Sequence, residues 1–400
     1  MAGDYDWRAM IPMSVLLVTP RWTRDGGVAT HVIASASALA EHGLSVDVAA
    51  ARVDPAVSAP GVAVVHCPKL FDAAAAPAER LGEALSSPPS AVHLHQVDDP
   101  EIVAFARRSA PTVLSAHGYT ACTSGVHYFQ PGHECGRPHG PGCVPNLALR
   151  GCAHTRQVRR LPAAYRRVTR ALAALRAGDL VVSYSSAVDR HLAANGLLRR
   201  AIVPLFTTIP AEAGSERIFL RRVIFAGRIV APKGIDVLIR AARGVDGEIV
   251  VCGDGWRLDR ARGLARRLGV EGRVHFRGWL GSDALARELA QASVLALPSI
   301  WPEPFGLVGI EAFAAGIPVV ASATGGVGDW LHDGVNGLAV EPGDHDALAC
   351  ALNELLADPD RRRTMGAEGR RLAAERFSAE RHVSALLDAY RSARSSWESR

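Results

Sequence analysis

At 400 residues, 48% hydrophobic and 21% charged, the chain is long enough for two or three domains and too apolar to be disordered by composition. Its formal net charge of +5 is too mild at this length to argue for nucleic acid. It suits an anionic small ligand or an anionic membrane surface equally. No apolar run approaches the roughly 18 residues that span a bilayer. The first residues, MAGDYDWRAMIPMSVLLV, carry acids where a secretion signal would be basic. The expected location is cytoplasmic, with a peripheral position at the inner face of the membrane as a further reading.

Short Val- and Leu-rich runs open the chain: 13–19, 44–50, 62–67, 90–95 and 111–117. They lack clean polar alternation, which fits parallel strands covered on both faces. Helical stretches separate them, such as VATHVIASASALAEHG, which stops at Gly43. A long interruption follows at 119–155, longer than a structureless connection usually runs. Next comes a basic helical stretch at 156–179, with Arg159, Arg160, Arg166, Arg167 and Arg170. It reads either as a surface for anionic lipid or a phosphorylated acceptor, or as a solvated helix face.

The βα rhythm breaks at PLFTTIPAEAGSE (204–216) and restarts. Strands are expected at 222–227, 247–253, 273–278, 293–298 and 317–322, with helical patterns between them. The closing stretch from 379 reads as an amphipathic helix with a polar tail. The fold class is therefore α/β, with two doubly wound Rossmann-like domains. The expected division is 1–205, 206–378 and a terminal helix at 379–400 that packs back on the first domain.

In such sheets ligands bind beyond the carboxyl ends of the strands, so residues just after strands are the candidates. After 222–227, Arg228 and Lys233 sit in a loop with Gly227 and Gly234; two cations there suit a diphosphate, or are ordinary surface charges. After 247–253, GDGW offers Gly253 and Gly255 for close backbone approach to a ligand, or only a tight turn. It is not a dinucleotide fingerprint, because Leu258 stands where GxGxxG needs its last glycine.

After 293–298 comes WPEPFGLVGIEAFAAG. Pro302 and Pro304 hold the chain extended around Glu303. Gly306 then starts a helix whose first amides favour an anion. Glu311 lies five residues on, about 7 to 8 Å along the axis, so Glu303 and Glu311 flank an anion site rather than share a proton. Each carboxylate can accept two hydroxyl donors, which suits a nucleotide sugar; the bland alternative is two solvated glutamates. Gly26 and Gly27 after the first strand, and Gly325, Gly326 and Gly328 in TGGVGDW, are either amide nests or routine turns. His117 ends the strand at 111–117, either as a structural histidine or at the reaction centre.

Together these motifs resemble the retaining glycosyltransferases of the GT-B fold, family four (glycosyl transferases group 1). The resemblance rests on GR-x4-KG (227–234), GDG (253–255), PEPFGLVGIEAFAAGIPVVA (302–321) and TGGVGDWLHDGVNGLAV (324–340). GGVATHV, AVHLH and AHGY carry a looser likeness in the first domain. The resemblance implies two domains facing a central cleft and transfer of a sugar, with retained configuration, from a nucleotide diphosphate to a hydroxyl-bearing acceptor. It implies that Arg228 and Lys233 hold the diphosphate and that Glu311 binds the ribose. Glu303 would bind the transferred sugar, with the amides of Phe305, Gly306 and Leu307 on phosphate and sugar. His117 would serve at the reacting carbon, Gly26 and Gly27 would close from the other domain, and Gly253 would line the nucleotide. No divalent metal or other cofactor is implied, since Arg and Lys take that electrostatic role. A cell-surface polysaccharide, a lipid-linked sugar or a natural-product glycoside are the acceptor classes, and nucleic acid is not an expected partner. A non-catalytic nucleotide-sugar-binding protein and a phosphorylase- or synthase-like enzyme of the same fold are the competing readings. The join departs from the family in reading VPLFTTIP.

Cys122, Cys135, Cys143 and Cys152 crowd into the long loop with His127, His133, His139 and His154. Their spacing lacks the close CxxC pairs of a zinc motif. A structural zinc on the four cysteines, reduced thiols and a redox disulfide are the three readings, and the position after His117 suggests a role toward the acceptor.

Overall fold

The computed structural model describes residues 13–122, 135–149, 152, 161–209 and 221–400. His127, His133, His154, Arg159, Arg160 and the part of the join beyond 209 lie outside them. The first domain is built from β1 (Ser14–Trp22), α1 (Gly27–Glu41), β2 (Ser45–Val53), β3 (Val62–His66), α2 (Pro77–Leu81), β4 (Ala91–His95), α3 (Pro100–Ser109) and β5 (Thr112–Ala116). It continues with α4 (Cys143–Leu149), α5 (Leu161–Ala177), β6 (Leu180–Ser183), α6 (Ser186–Ala194) and β7 (Arg200–Ile202). Its seven strands are parallel in the order β3-β2-β1-β4-β5-β6-β7.

The second domain comprises β8 (Arg222–Ala226), α7 (Ile235–Ala241), β9 (Glu248–Cys252), α8 (Leu258–Arg267), β10 (Val274–Gly278), α9 (Ser282–Ala290) and β11 (Val294–Leu297). It then runs through α10 (Leu307–Ala314), β12 (Val319–Ser322), β13 (Gly337–Val340), α11 (His345–Ala357) and α12 (Pro359–Arg376). Its sheet is also parallel, in the order β10-β9-β8-β11-β12-β13. The last helix is α13 (Ala379–Glu398).

Each sheet is covered on both faces, and each face holds its own apolar core. That is why the central strands read as near-continuous apolar runs. In α1 the buried residues Ala29, Val32, Ala36 and Leu39 repeat at three to four positions, one stripe of a helix laid on the sheet. Sequence reading located ten of the strands and passed over β6, β7 and β13. Those three are only four, three and four residues long, too short to display a period. The expected loop at 119–155 contains α4.

The chain crosses between domains twice, close together: Thr207 donates its amide to the Phe377 carbonyl at 3.4 Å. α13 then lies against α1, β5 and β6 of the first domain. Its buried side chains His382, Val383, Leu386, Ala389, Tyr390 and Ala393 face that sheet. A second clasp holds its far end. Fully buried Asp179 accepts from the Thr112 amide at 2.9 Å, from Arg107 at 3.1 Å and from the Arg400 guanidinium, while the Trp397 indole donates to the Arg107 carbonyl at 2.7 Å. On the opposite side of the join, the backbone amide and hydroxyl of Ser186 at the start of α6 both donate to Asp329, at 2.7 and 2.5 Å.

Helix α10 is seated on Trp330, which is fully buried and donates its indole N–H to the Phe305 carbonyl at 2.7 Å. A Cβ at Gly309 would meet the Trp330 ring at 2.3 Å. The ring is rigid, so the helix itself would have to shift. Gly309→Ala is expected to destabilise the protein by about 1–3 kcal/mol, read as a lower urea midpoint. An unchanged midpoint would show that α10 is free to move off the indole.

Candidate active site

The two sheets point their carboxyl ends at one cleft of about 1070 Å³, lined from both domains. The cleft gathers most of the candidates: Gly26, Gly27 and His117 from the first domain, and Arg228, Lys233, Glu303, Phe305, Gly306 and Leu307 from the second. Gly253 and Glu311 are not among its lining residues. Two helices start on it. Gly26 caps α1 and Gly306 caps α10 in the left-handed region, with φ of 102° and 84°. Neither cap supplies a side-chain hydrogen bond, so amides of both first turns are available to an anion.

Lys233 and Glu303 form the tightest feature. Glu303 is 1% exposed, and Lys233 Nζ donates to both of its oxygens, at 2.6 and 2.9 Å. The Ser299 hydroxyl donates to the same carboxylate at 2.5 Å. The Lys233 ammonium also lies 5.7 Å from the centre of the Trp301 ring. The two residues that sequence assigns to phosphate and to sugar are thus one ion pair. Arg228 is exposed, and among the described residues no carboxylate pairs with it. The prolines around Glu303 do what their φ restriction suggests, holding an extended segment that bridges to Gly325.

The remaining glycine motifs are explained by packing. A Cβ on Gly253 would meet the Gly227 carbonyl oxygen at 1.9 Å, so glycine is required there by the neighbouring loop without invoking a ligand. TGGVGD packs on the Glu303 segment, with the Gly326 amide donating to the Glu303 carbonyl at 2.6 Å, and carries Asp329 to the Ser186 contact.

Glu311 is half-buried on α10. Desolvation lifts its carboxyl to about 7, so near neutrality it is a mixture of acid and carboxylate.

At and beneath the floor of the cleft are residues that sequence reading did not single out. His117 Nε2 lies 3.0 Å from His95 Nδ1. Tyr184 stacks on the His117 ring with centroids 4.9 Å apart, and its hydroxyl meets Ser115 Oγ at 2.5 Å. Ser115 also meets His93 Nε2 at 2.8 Å, and His93 Nδ1 meets the Tyr390 hydroxyl at 2.9 Å. His31 packs edge-on to His117, Tyr184 and His382. His382 donates from Nδ1 to the Pro204 carbonyl at 2.7 Å and takes the Ser35 hydroxyl at Nε2, 3.0 Å away. Burial holds His31, His93, His95 and His117 well below the ordinary histidine value, and His382 at about 4. These imidazoles are therefore neutral at pH 7. One signal for them was present: His93 and His95 stand two apart on an otherwise apolar strand, hence on one face.

The cysteine loop flanks the cleft through Cys122. Cys135 and Cys143 are free thiols. Burial raises the Cys135 thiol, and the nearby Cys122 and Cys143 add to the rise. Among the described residues no group of three or more His, Cys, Asp or Glu side chains is placed to hold a metal ion. His139 instead hydrogen-bonds Thr169 of α5 at 2.9 Å. Arg170, also on α5, pairs with Asp99 at 2.9 Å, and Asp99 in turn holds buried Arg80 at 2.8 Å. Part of the basic helix is thereby committed to the fold, while Arg167 lines the cleft.

Residues 220–372 match the family model described as glycosyl transferases group 1. The D-inositol 3-phosphate glycosyltransferase of Xylanimonas cellulosilytica is 36% identical over 230 residues, covering 54% of this chain and 54% of that protein. The GDP-mannose-dependent alpha-(1-6)-phosphatidylinositol monomannoside mannosyltransferase of Mycolicibacterium smegmatis is 36% identical over 166 residues, covering 39% and 44%. The chain spans about half the length of these curated relatives. Among solved structures, sucrose-phosphate synthase from Thermosynechococcus elongatus superposes with a TM-score of 0.73 at 23% identity, covering 95% of this chain and 98% of that one. Anabaena HepE, solved in complex with UDP-glucose, gives 0.67 at 18% identity, covering 94% and 99%. The match to the glycosyl transferases group 1 model thus falls on the second domain, and the whole chain has the GT-B fold.

Two predictions follow from charge and burial. Lys233→Ala strands a buried carboxylate and is expected to cost about 3 kcal/mol; adding Glu303→Gln to it should restore most of the loss in a denaturation series. For Glu311, a native pKa near 7 lies above the unfolded value. The folded state therefore binds the extra proton, and the stability this gives is complete below the unfolded value and lost as pH rises to about 7. Urea midpoints compared at acidic and alkaline pH should show this fall, and Glu311→Gln should remove it.

Proposed function

We propose that the protein is a retaining glycosyltransferase of family four. It moves a sugar from a nucleotide diphosphate sugar to a hydroxyl-bearing acceptor bound in the cleft, without a divalent metal. The observation that carries this reading is the convergence on one cleft of Arg228, Lys233 and the open amide ends of α1 and α10. Arg228 and the two helix ends bring positive potential to one space, with the ammonium of Lys233, now on Glu303, within it, and together they match a diphosphate. The likeness of the second domain to group 1 glycosyltransferases supports it. A protein of the same fold has been solved with UDP-glucose, in keeping with a nucleotide diphosphate sugar as donor.

In this mechanism the bond from the anomeric carbon to the donor phosphate breaks as the acceptor oxygen bonds on the same face. The acceptor proton passes to the departing phosphate oxygen. Positive charge develops on the sugar and negative charge on the diphosphate. Arg228, Lys233 and the helix ends stabilise the latter. Glu303, buried and held by Lys233 and Ser299, is the group assigned to the sugar hydroxyls, and Glu311 on α10 the group assigned to the ribose. His117 stands at the reacting carbon. A neutral imidazole suits that place, because an imidazolium would repel the developing sugar cation. Metal is unnecessary where two cations already face the leaving group, and zinc on the cysteine loop would be structural only.

The acceptor is a polysaccharide, lipid-linked or natural-product hydroxyl approaching from the first domain. Among the described residues no helix is long and apolar enough to cross a membrane, and Arg166 and Arg167 would serve any contact with an anionic membrane face.

A thermal-shift screen with UDP-, GDP-, ADP- and TDP-sugars should identify one stabilising donor. With that donor, Lys233→Ala and Glu311→Ala should weaken binding roughly ten- to a hundredfold, the scale of a charge-assisted hydrogen bond. His117→Ala should lower turnover and leave donor binding nearly intact. Full turnover in the His117 variant would remove its catalytic role, and consumption of free phosphate would mark a phosphorylase instead.

A further inference from the structure

We infer that His95 is a positioning residue that fixes the tautomer of His117: its Nδ1–H donates to His117 Nε2, so the ring proton of His117 is carried on Nδ1. This deepens the reading of His117 given above, and the catalytic part of the inference rests on that reading.

The argument starts from the 3.0 Å contact between His95 Nδ1 and His117 Nε2. With both rings neutral, one proton lies between them and it belongs to one ring or the other. If it belonged to His117, His95 would carry its own proton on Nε2. That nitrogen is buried and, among the described residues, has no hydrogen-bond partner. The His93 ring beside it cannot help: its centroid is 4.2 Å away, but its nitrogens are taken by Tyr390 and Ser115. An N–H would then be orphaned in a residue only 1% exposed. If the proton belongs to His95, the atom left unmatched is a lone pair. Orphaned buried N–H groups are the rarer and costlier of the two, so His95 is the donor.

The consequence falls on His117. Its Nε2 lone pair is occupied, which removes the nitrogen that would otherwise accept a proton. What His117 retains for a ligand is an Nδ1–H donor. It is then a fixed hydrogen-bond donor held by Tyr184 stacking and by His95, and not a general base, in keeping with proton transfer to the departing phosphate.

The test is direct. In full-length protein labelled with 15N-histidine, long-range 15N–1H correlation at neutral pH should show His117 with a pyrrole-type Nδ1 and a pyridine-type Nε2, its signals assigned by their loss in His117→Ala. A pyrrole-type Nε2 on His117 in the wild-type protein would overturn the inference. In His95→Phe, which removes the donor, His117 should shift to the Nε2–H form. With the donor found by the screen, turnover should then fall roughly ten- to a hundredfold at unchanged donor KM. His95→Asn, which returns an N–H to the place of Nδ1, should restore both tautomer and turnover. Equal loss in the two variants with the wild-type tautomer kept would reject the positioning role. A protein that transfers no sugar from any donor would refute the proposed function, while the wild-type spectrum would still decide the tautomer.

Discussion

The buried pair of Lys233 and Glu303 is the constraint on which the second domain's half of the cleft depends. A carboxylate 1% exposed is untenable without a counter-charge and hydrogen bonds. Lys233 and Ser299 supply both. Because they come from the loops after β8 and β11, satisfying that one charge ties two strand ends together. The Glu303 segment then bridges to Gly325, and α10 starts four residues on, at Leu307. Position of the helix end, of the ammonium and of the carboxylate are therefore one property. An anion that draws Lys233 toward itself changes the electrostatic setting of Glu303 at the same moment, so in the proposed function diphosphate and sugar recognition would be coupled through a single ion pair.

The fold was legible because parallel, doubly covered strands leave a strong apolar signature, and because glycines and prolines punctuate them. The second domain's site was legible for a related reason. Strand-end loops carry their chemistry in short contiguous motifs, so Arg228, Lys233, Glu303 and Gly306 were found by reading locally. The coupling between Lys233 and Glu303 was not, since 70 residues separate them. Gly253 is a different case. The motif suggested ligand approach, but the close approach is by the backbone of Gly227. Glu311, in an apolar helix, was noticed correctly as unusual. Its environment lifts its carboxyl toward neutrality and sets it outside the cleft lining, which sequence spacing alone had no means of giving.

The first domain's contribution was harder to read because it is assembled from distant parts. His31, His93, His95, His117, Tyr184, His382 and Tyr390 come from α1, β4, the end of β5, the start of the β6–α6 connection and α13. Each alone looks like a histidine or tyrosine in an ordinary element. Only the packing of α13 across α1, β5 and β6 brings the set together. The terminal helix is then more than a strap: His382 and Tyr390 supply hydrogen bonds to Ser35 and His93 under the cleft.

This gives the cleft two walls with opposite electrostatics. The second domain presents cations and a helix amide end. The first presents, beneath α1's amide end, a floor of imidazoles that burial and mutual repulsion keep uncharged. Crowding neutral histidines is a means of offering polar, hydrogen-bonding groups without adding charge. A cationic floor would compete with Arg228 and Lys233 for the diphosphate and oppose positive charge on a sugar. An apolar one could not orient a ring nitrogen. Since each imidazole lowers the proton affinity of its neighbours, protonating any one of them costs more than in isolation, and the neutral floor holds well below physiological pH. The division of labour between the walls in the proposed function follows from that: negative charge would be gathered on one side, while His117 stays polar and neutral on the other.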